Sequence, residues 1–258
     1  MARQNGKVGE MKRKTCGVLA AAAAMMLLPA GLAAQTASGG WDHSLMIYML
    51  GAGMDGTVTV GPVAADVNIG FSDILKNLQF GAMASYRGEH GDFAILGDLI
   101  YMGLGATKHG PGDVKADVNV DQWVVELDAA WRLSPGFEVL GGARFVSLAT
   151  DVALLGPLET RQAGVTKEWV DPVVGFQVKA PLGGAWTFVG RGDVGGFGIG
   201  SKLAWQALAG VRVELSPRSS LLLAYRALDE DYESGSGAGY FRYDVLTQGP
   251  MLGWKFTL

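Results

Sequence analysis

Charged side chains in strand-like segments are the residues of this sequence best placed to do chemistry. Seven acidic and seven basic residues form the set considered, and each stands on the more polar side of its segment. An unpaired ion away from water is costly, so a balanced set predicts an interior network of ion pairs. The alternative is a path for small polar solutes or ions lined by Arg191, Arg212, Arg226 and Asp193. The full set is Asp98, Glu126, Asp128, Glu138, Asp171, Asp193, Glu214, Arg132, Arg144, Lys179, Arg191, Arg212, Arg226 and Lys255.

The three histidines are the other candidates, because hydrolases commonly pair histidine with serine or aspartate. His43 opens a strand-like segment, His90 stands in a short turn, and His109 lies in a loop beside Lys108 and Asp113. None has the spacing of a catalytic pair, so we expect no enzymatic activity. A lipid-modifying enzyme that uses His109 is the alternative.

Metal and cofactor sites are not predicted. The histidines are dispersed, and the acidic run at 229–231 with Glu233 is typical of a solvated loop end. The glycine-rich run at 195–200 lacks dinucleotide-binding spacing and follows no βαβ pattern, so it predicts a hairpin loop.

Strands must position these groups, because apolar and polar residues alternate with a period of two. In 122–133, Trp123 and Trp131 end an apolar face, and Glu126 and Asp128 stand on the opposite face. A transmembrane β-barrel shows this pattern, with an apolar exterior, aromatic girdles and a polar interior. We expect membrane-interface aromatics at Trp123, Trp131, Trp186, Trp205, Trp254 and Phe256.

Connections alternate between short and long, which is typical of up-and-down outer-membrane barrels. Tight turns fall near 88–91, 133–136, 181–184 and 215–218, and longer connections at 105–113, 152–166, 196–201 and 233–240. The sequence predicts an all-β, antiparallel barrel over 41–258 with ten strands, and eight or twelve as alternatives. Strand 41–51 comes first, and 52–77 forms a long external loop containing a small hairpin (57–69), which is the segment that could join the wall, and a helical turn.

The N-terminal segment has a pattern which predicts that the chain is exported. Lys12, Arg13 and Lys14 precede an alanine-rich apolar stretch and then small residues, which is the order of a secretory signal peptide over 1–34. Cleavage after Ala33 or Ala34 would remove the single cysteine, and residues 1–10 are consistent with an upstream start site. No other apolar run reaches the roughly 20 residues of a membrane-spanning helix.

Net charge and composition limit the classes of partner that we expect for this chain. The net charge is −4, and loss of 1–34, which carries +4, makes the rest −8. Phosphate backbones need clustered lysine and arginine, so we expect no nucleic-acid partner. Glycine (39 residues) fits turns and a curved wall, and outer-membrane lipid is the expected surrounding.

Several motifs resemble an uncharacterised family of proteobacterial outer-membrane β-barrel proteins. They cover most of the chain after the predicted signal peptide and lie at 72–75, 97–101, 169–172, 191–198, 205–206, 225–232, 241–244 and 249–250. The resemblance implies a barrel in the outer membrane and no particular activity.

The last strand also resembles the C-terminal signal read by the barrel-assembly machinery. Leu252, Trp254, Phe256 and Leu258 alternate on one face, although the final residue is leucine where an aromatic residue is usual. This machinery is therefore an expected partner.

Overall fold

The computed structural model describes residues 40–109, 115–155 and 160–258. The predicted signal peptide lies outside these residues. Twelve strands are present in the described ranges: β1 Asp42–Leu50, β2 Gly53–Val60, β3 Val63–Ile69, β4 Leu78–His90, β5 Phe93–His109, β6 Lys115–Ser134, β7 Phe137–Leu155, β8 Thr160–Gly183, β9 Trp186–Gly195, β10 Leu203–Ser216, β11 Ser219–Ser234 and β12 Phe241–Thr257. One helix, α1, spans Phe71–Asn77, and a 3₁₀ turn spans Gly237–Gly239.

Ten of these strands form a closed antiparallel barrel, which confirms the predicted fold class and strand number. β4 to β12 pair in chain order, and β1 joins β4 on one side and β12 on the other. The closing pair runs from Ser44 opposite Thr257 to Leu50 opposite Met251. Closure leaves no exposed edge around this part of the barrel, which satisfies the backbone within the sheet.

The hairpin of β2 and β3 belongs to the wall. β2 continues the pairing of β1 along β12, from Gly53 opposite Gln248 to Val60 opposite Phe241. The two strands are interrupted only at 51–52, where the Gly51 amide donates to the Pro250 carbonyl over 2.7 Å. The segment 52–77 therefore extends the sheet and is not a detached loop.

Helix α1 lies beyond the end of the shortest strand pairing in the barrel, which is between β1 and β4. β1 and β4 pair only from Asp42 opposite Glu89 to Ile47 opposite Ala84. Beyond that pairing, Ile74 of the helix is buried against Ala52 and Met102. The helix thus closes the wall between β2 and β5 at the end where the long loops lie.

Short turns alternate with longer connections, but the predicted long connections at 105–113 and 152–166 are wrong in extent. β5 continues to His109, β7 continues to Leu155 and β8 begins at Thr160, because strand pairing extends beyond the predicted ends. Glycine permits the tight turns. Gly91 has a φ of +59° and Gly136 a φ of +84°, the left-handed region that residues with a Cβ avoid. We call this end of the barrel the short-turn end and the opposite end the long-loop end.

The lumen is filled in layers. At the long-loop end, an apolar layer contains Val146, Trp169, Leu228, Phe241 and Tyr243. A charged layer follows, and below it lie two smaller apolar clusters, one around Leu140 and Val173 and the other around Leu222 and Met251. The described interior is therefore packed at the level of the ions and on their long-loop side, and a cavity of about 200 Å³ remains on their short-turn side.

Candidate functional site

The charged layer is built by strand alternation. On β6, Glu126 and Asp128 are buried and point into the lumen, whereas Leu127 between them is exposed on the outside. The same parity places Arg144 of β7, Asp193 of β9 and every other predicted lumen charge on the inner side of its strand.

Arg144 lies at the centre of this layer. Its Nε donates to Glu126 Oε2 over 2.5 Å, and its Nη2 donates to Asp193 Oδ1 over 2.7 Å. The three side chains are 0 %, 2 % and 0 % exposed. Two carboxylates thus share one guanidinium in a dry environment, which makes each partner dependent on the others.

Arg191 binds the same carboxylates from β9. Its Nη2 contacts Glu126 Oε1 and donates to Asp128 Oδ2 over 2.9 Å, and its Nε donates to Asp193 Oδ2 over 2.8 Å. Glu126 and Asp193 therefore each bridge two arginines.

Arg226 extends the network to the other side of the barrel. It pairs with Asp98 over 2.8 Å and donates to Gln206 and, over 2.9 Å, to the Tyr48 hydroxyl. Tyr48 in turn donates to Asp98 over 2.8 Å.

Gln206 joins the two halves of the network, because its Nε2 donates to Asp193 Oδ2 over 2.9 Å. The connected side chains come from β1, β5, β6, β7, β9, β10 and β11, seven of the ten barrel strands. The charged layer therefore crosses the lumen as one hydrogen-bonded unit.

A second group of ions lies nearer the short turns. Glu138 accepts two hydrogen bonds from Arg87, at 2.8 and 2.9 Å, and one from Lys179 at 3.3 Å. Arg132 lies 3.8 Å from the same carboxylate, and Glu89 lies 2.7 Å from Arg87 and 3.7 Å from Arg132. Two acids therefore neutralise three cations. These side chains ring the mouth of the barrel.

The remaining predicted charges are not joined to either group by ion pairs in the described residues. Arg212 pairs with Glu214 at 2.7 Å, and Lys255 has no carboxylate within 4 Å among the side chains described. Asp171 binds a serine instead of a cation: the Ser201 amide donates to Oδ1 over 2.6 Å, and the Ser201 hydroxyl contacts Oδ2. Asp171 thereby anchors the 196–202 loop to the barrel interior.

Sequence reasoning missed several members of these groups. Tyr48, Gln206 and Ser201 are uncharged, and Arg87 is not among the predicted lumen charges. The prediction of a solvated loop end at 229–231 is wrong for Glu230, which is buried on the inner face of β11 because the strand continues to Ser234. The inward parity of β4 and β11 would have identified Arg87 and Glu230, whereas no local signal distinguishes Gln206 or Ser201.

Among the described residues, three buried polar atoms in or beside this layer lack a hydrogen-bond partner: Glu230 Oε1, Arg144 Nη1 and Asp128 Oδ1. Trp169 Nε1 and Tyr243 Oη share this property in the apolar layer above. These groups require ordered water or a proton to be satisfied, which indicates small spaces within an otherwise packed lumen.

The predicted interface aromatics all stand on the exterior. Trp131, Trp186, Trp254 and Phe256 are exposed near the short-turn end. Trp123 and Trp205 lie on the long-loop half, where Trp123 packs on Tyr101 with ring centroids 4.4 Å apart. Exposed leucines and valines lie between the two aromatic levels, so the exterior presents an apolar belt with aromatic ends.

Two histidines have structural contacts. His43 Nδ1 lies 2.7 Å from the Tyr86 hydroxyl, and His90 stacks on Trp41 with ring centroids 5.9 Å apart. The side chain of His109 lies outside the described residues. Within the described ranges, no group of three or more histidine or acidic residues has the arrangement of a metal site.

No family model and no curated protein matches this sequence. Helix α1 has seven residues, and no helix in the described ranges has the length and apolar character of a membrane-spanning helix.

Solved structures similar to this chain are outer-membrane barrels. The attachment invasion locus protein Ail of Yersinia pestis is 13 % identical (TM-score 0.38; 86 % of this chain, 100 % of that one). The translocator domain of autotransporter NalP from Neisseria meningitidis is 12 % identical (TM-score 0.37; 94 % of this chain, 97 % of that one). The toluene transporter TbuX of Ralstonia pickettii is 8 % identical (TM-score 0.42; 91 % of this chain, 92 % of that one). Likenesses of this size assign no activity.

The architecture itself identifies the class of protein. A closed antiparallel barrel with an apolar, aromatic-ended exterior, a charged interior and alternating short turns and long loops is the arrangement of a transmembrane β-barrel of the outer-membrane type.

Proposed function

We propose that this chain is an integral outer-membrane barrel of structural type whose lumen is sealed against solutes. The observation that carries the proposal is the continuous network from Tyr48 to Arg144, which joins seven strands across the lumen. Small barrels fill their interior with side chains and leave no aqueous channel.

Two barriers in series support this function. The charged layer is held by ion pairs that a passing solute would have to break. Above it, Trp169 stacks on Tyr232 with ring centroids 4.1 Å apart and an interplanar angle of 9°, and Tyr243 packs beside them. An ion that left the charged layer would therefore meet an apolar layer, where desolvation is costly.

Single-channel recording in planar bilayers tests the seal. We expect the folded protein to give no unitary currents, and steady unitary currents would overturn the proposal in favour of a small-solute channel. Insertion is checked by the different gel migration of boiled and unboiled protein.

A set of variants distinguishes a sealed barrel from a protein sample that gives no current because it has not inserted into the bilayer. Glu126→Ser with Arg144→Ser removes the centre of the charged layer without a change of net charge, and Trp169→Ala with Tyr243→Ala opens the apolar layer. Because the barriers are in series, we expect each pair alone to stay closed and the four changes together to conduct.

A passive role, without catalysis, is part of the same proposal. The described histidines bind aromatic side chains, and no nucleophile–base pair is seen among them. Overexpression should leave the lipid A and phospholipid profiles unchanged. A new acylated or deacylated lipid species would instead support the alternative in which His109 participates.

Lipid is the proposed partner of the exterior. Leu252 and Trp254 of β12 are about half exposed on the outer face, where lipid would cover them. Recognition of β12 by the barrel-assembly machinery is proposed on the same alternation. Substitution of Trp254 and Phe256 by serine should slow assembly in cells, which is measured by the unfolded fraction on unboiled gels.

A further inference from the structure

A cavity of about 200 Å³ lies on the short-turn side of the charged layer. Six cationic residues line it: Arg87, Lys179, Arg191, Arg212, Arg226 and Lys255. Only two acids, Asp98 and Asp128, are among the lining residues, and no glutamate is. Apolar side chains also line this vestibule, but among its charged residues cations outnumber acids by six to two.

The two acids are already neutralised by the network. Asp98 pairs with Arg226 and Asp128 with Arg191, at 2.8 and 2.9 Å. These four residues lie at the inner end of the vestibule. They balance one another and leave the outer walls to determine its charge.

The outer walls present cations whose acidic partners lie outside the lining. Arg87 pairs with both Glu89 and Glu138, and Lys179 shares Glu138 with it. Arg212 pairs with Glu214, but that glutamate is 46 % exposed, and water screens its charge.

Lys255 is the cation least committed to a partner. It has no carboxylate within 4 Å among the described side chains, although it is only partly exposed. Its charged neighbours are Arg87, Arg212, Glu89 and Glu214, so cations surround it as much as acids do. A half-buried ammonium group without a direct counter-ion favours a bound anion.

The vestibule opens along the barrel axis. A second cavity of about 250 Å³ shares Ser44, Arg87 and Lys255 with it and reaches the rim at Thr257. Two acids, Asp42 and Glu89, also line this outer cavity, and Glu89 pairs with Arg87. Short turns lie on the periplasmic side of outer-membrane barrels, so this opening faces the periplasm. Because the walls face the axis and not the lipid, a ligand bound there would be a soluble solute.

We propose that this vestibule binds a small multivalent oxyanion, of the polycarboxylate or phosphate class, from the periplasm. Guanidinium groups bind planar carboxylates and phosphates in a bidentate manner, and lysine adds a point charge. A volume of about 200 Å³ corresponds to roughly six or seven water molecules, which a compact anion would displace.

Isothermal titration of the full chain, folded in dodecyl maltoside micelles, with citrate tests the site. At low ionic strength we expect one saturable binding event per barrel. Lys255→Gln should weaken it at least tenfold, and raised NaCl should weaken it further.

The matched control is Lys202→Gln, which makes the same change of charge at the long-loop end and should leave affinity unaltered. Absence of saturable binding overturns the proposal, as does equal weakening by both variants. Unboiled gel migration confirms that each variant is folded. The vestibule lies to one side of the network, so citrate binding and bilayer conductance succeed or fail independently.

Discussion

Arg144 and Asp193 form an ion pair of 2.7 Å between β7 and β9, although 49 residues separate them in the sequence. Neither side chain is exposed to solvent. The strands that carry them are separated by β8, so the pair reaches across the curved inner surface. This contact shows how closure of the barrel converts separate strand charges into one buried unit.

Loss of Arg144 should be strongly destabilising. Arg144→Met leaves Glu126 and Asp193 without one of their shared cations, and removal of one member of a buried pair costs roughly 3–5 kcal/mol. Urea unfolding in phospholipid vesicles, followed by tryptophan fluorescence, measures the change in the free energy of unfolding.

The control for that substitution is Arg212→Met, which breaks the more exposed pair with Glu214. Exposed pairs contribute about 0–1 kcal/mol. Similar losses in the two variants would show that burial does not govern the energetics of the lumen.

Adjacent glycines of β7 should differ in their tolerance of alanine. A Cβ at Gly142 would overlap the Leu127 carbonyl oxygen and lie 2.7 Å from the Asp128 Cα, whereas at Gly141 its nearest neighbour would be 3.6 Å away. We expect Gly142→Ala to destabilise the barrel by roughly 1–3 kcal/mol, the usual cost of overpacking.

Gly141→Ala provides the matched control and should be close to neutral. The same unfolding measurement applies to both variants. If the two are equally stable, β6 and β7 do not approach each other at Gly142 as closely as the structure shows.

Ser201 should hold its loop to the barrel. Ser201→Ala removes the hydroxyl contact to Asp171, and loss of a hydrogen bond to a buried carboxylate costs roughly 1.5–3 kcal/mol. We expect faster amide hydrogen exchange at 196–202, measured by mass spectrometry, with little change elsewhere.

Ser236→Ala is the comparison for the loop, because Ser236 is exposed and makes no side-chain cap bond before the 3₁₀ turn. Unchanged exchange in Ser201→Ala would indicate that the backbone bond from Ser201 alone anchors the loop.

A pH-dependent contact lies outside the membrane at the long-loop end. Lys202 Nζ lies 2.6 Å from Glu233 Oε2, and Tyr240 donates to the same carboxylate oxygen over 3.0 Å. Hydrogen bonds from Lys202 and then Tyr240 lower the pKa of Glu233, and the bond that Lys202 donates to Glu233 raises the pKa of Lys202.

The sign for Glu233 follows from its lowered pKa. The contribution of Glu233 to the free energy of unfolding is present above its unfolded pKa of about 4.3 and is lost as the pH falls through its folded pKa. An NMR titration of the Glu233 carboxyl carbon should therefore have its midpoint below about 4.3.

Lys202→Gln should move that midpoint upward, toward the ordinary value. Lys76→Gln, which removes a cation that pairs with Asp73, should not affect it. A midpoint of Glu233 that is the same in all three proteins would contradict the contact.

The sequence by itself determined the fold class. The period of two in 122–133 predicts both the inward Glu126 and the outward Trp123 and Trp131, because side chains alternate across a strand whatever the strand pairs with. The alternation of short and long connections predicts ten strands, which the structure confirms. These features are local, so they can be recognised along the chain.

Only the tertiary structure decided which groups meet. Strand register and barrel curvature bring Arg144 to Asp193, direct Gln206 between Arg226 and Asp193, and give Asp171 a serine in place of a cation. They also place β2 against β12 and leave Lys255 at the mouth of a cation-lined vestibule. Alternation specifies the face on which a side chain stands, whereas its partner depends on distances across the closed lumen.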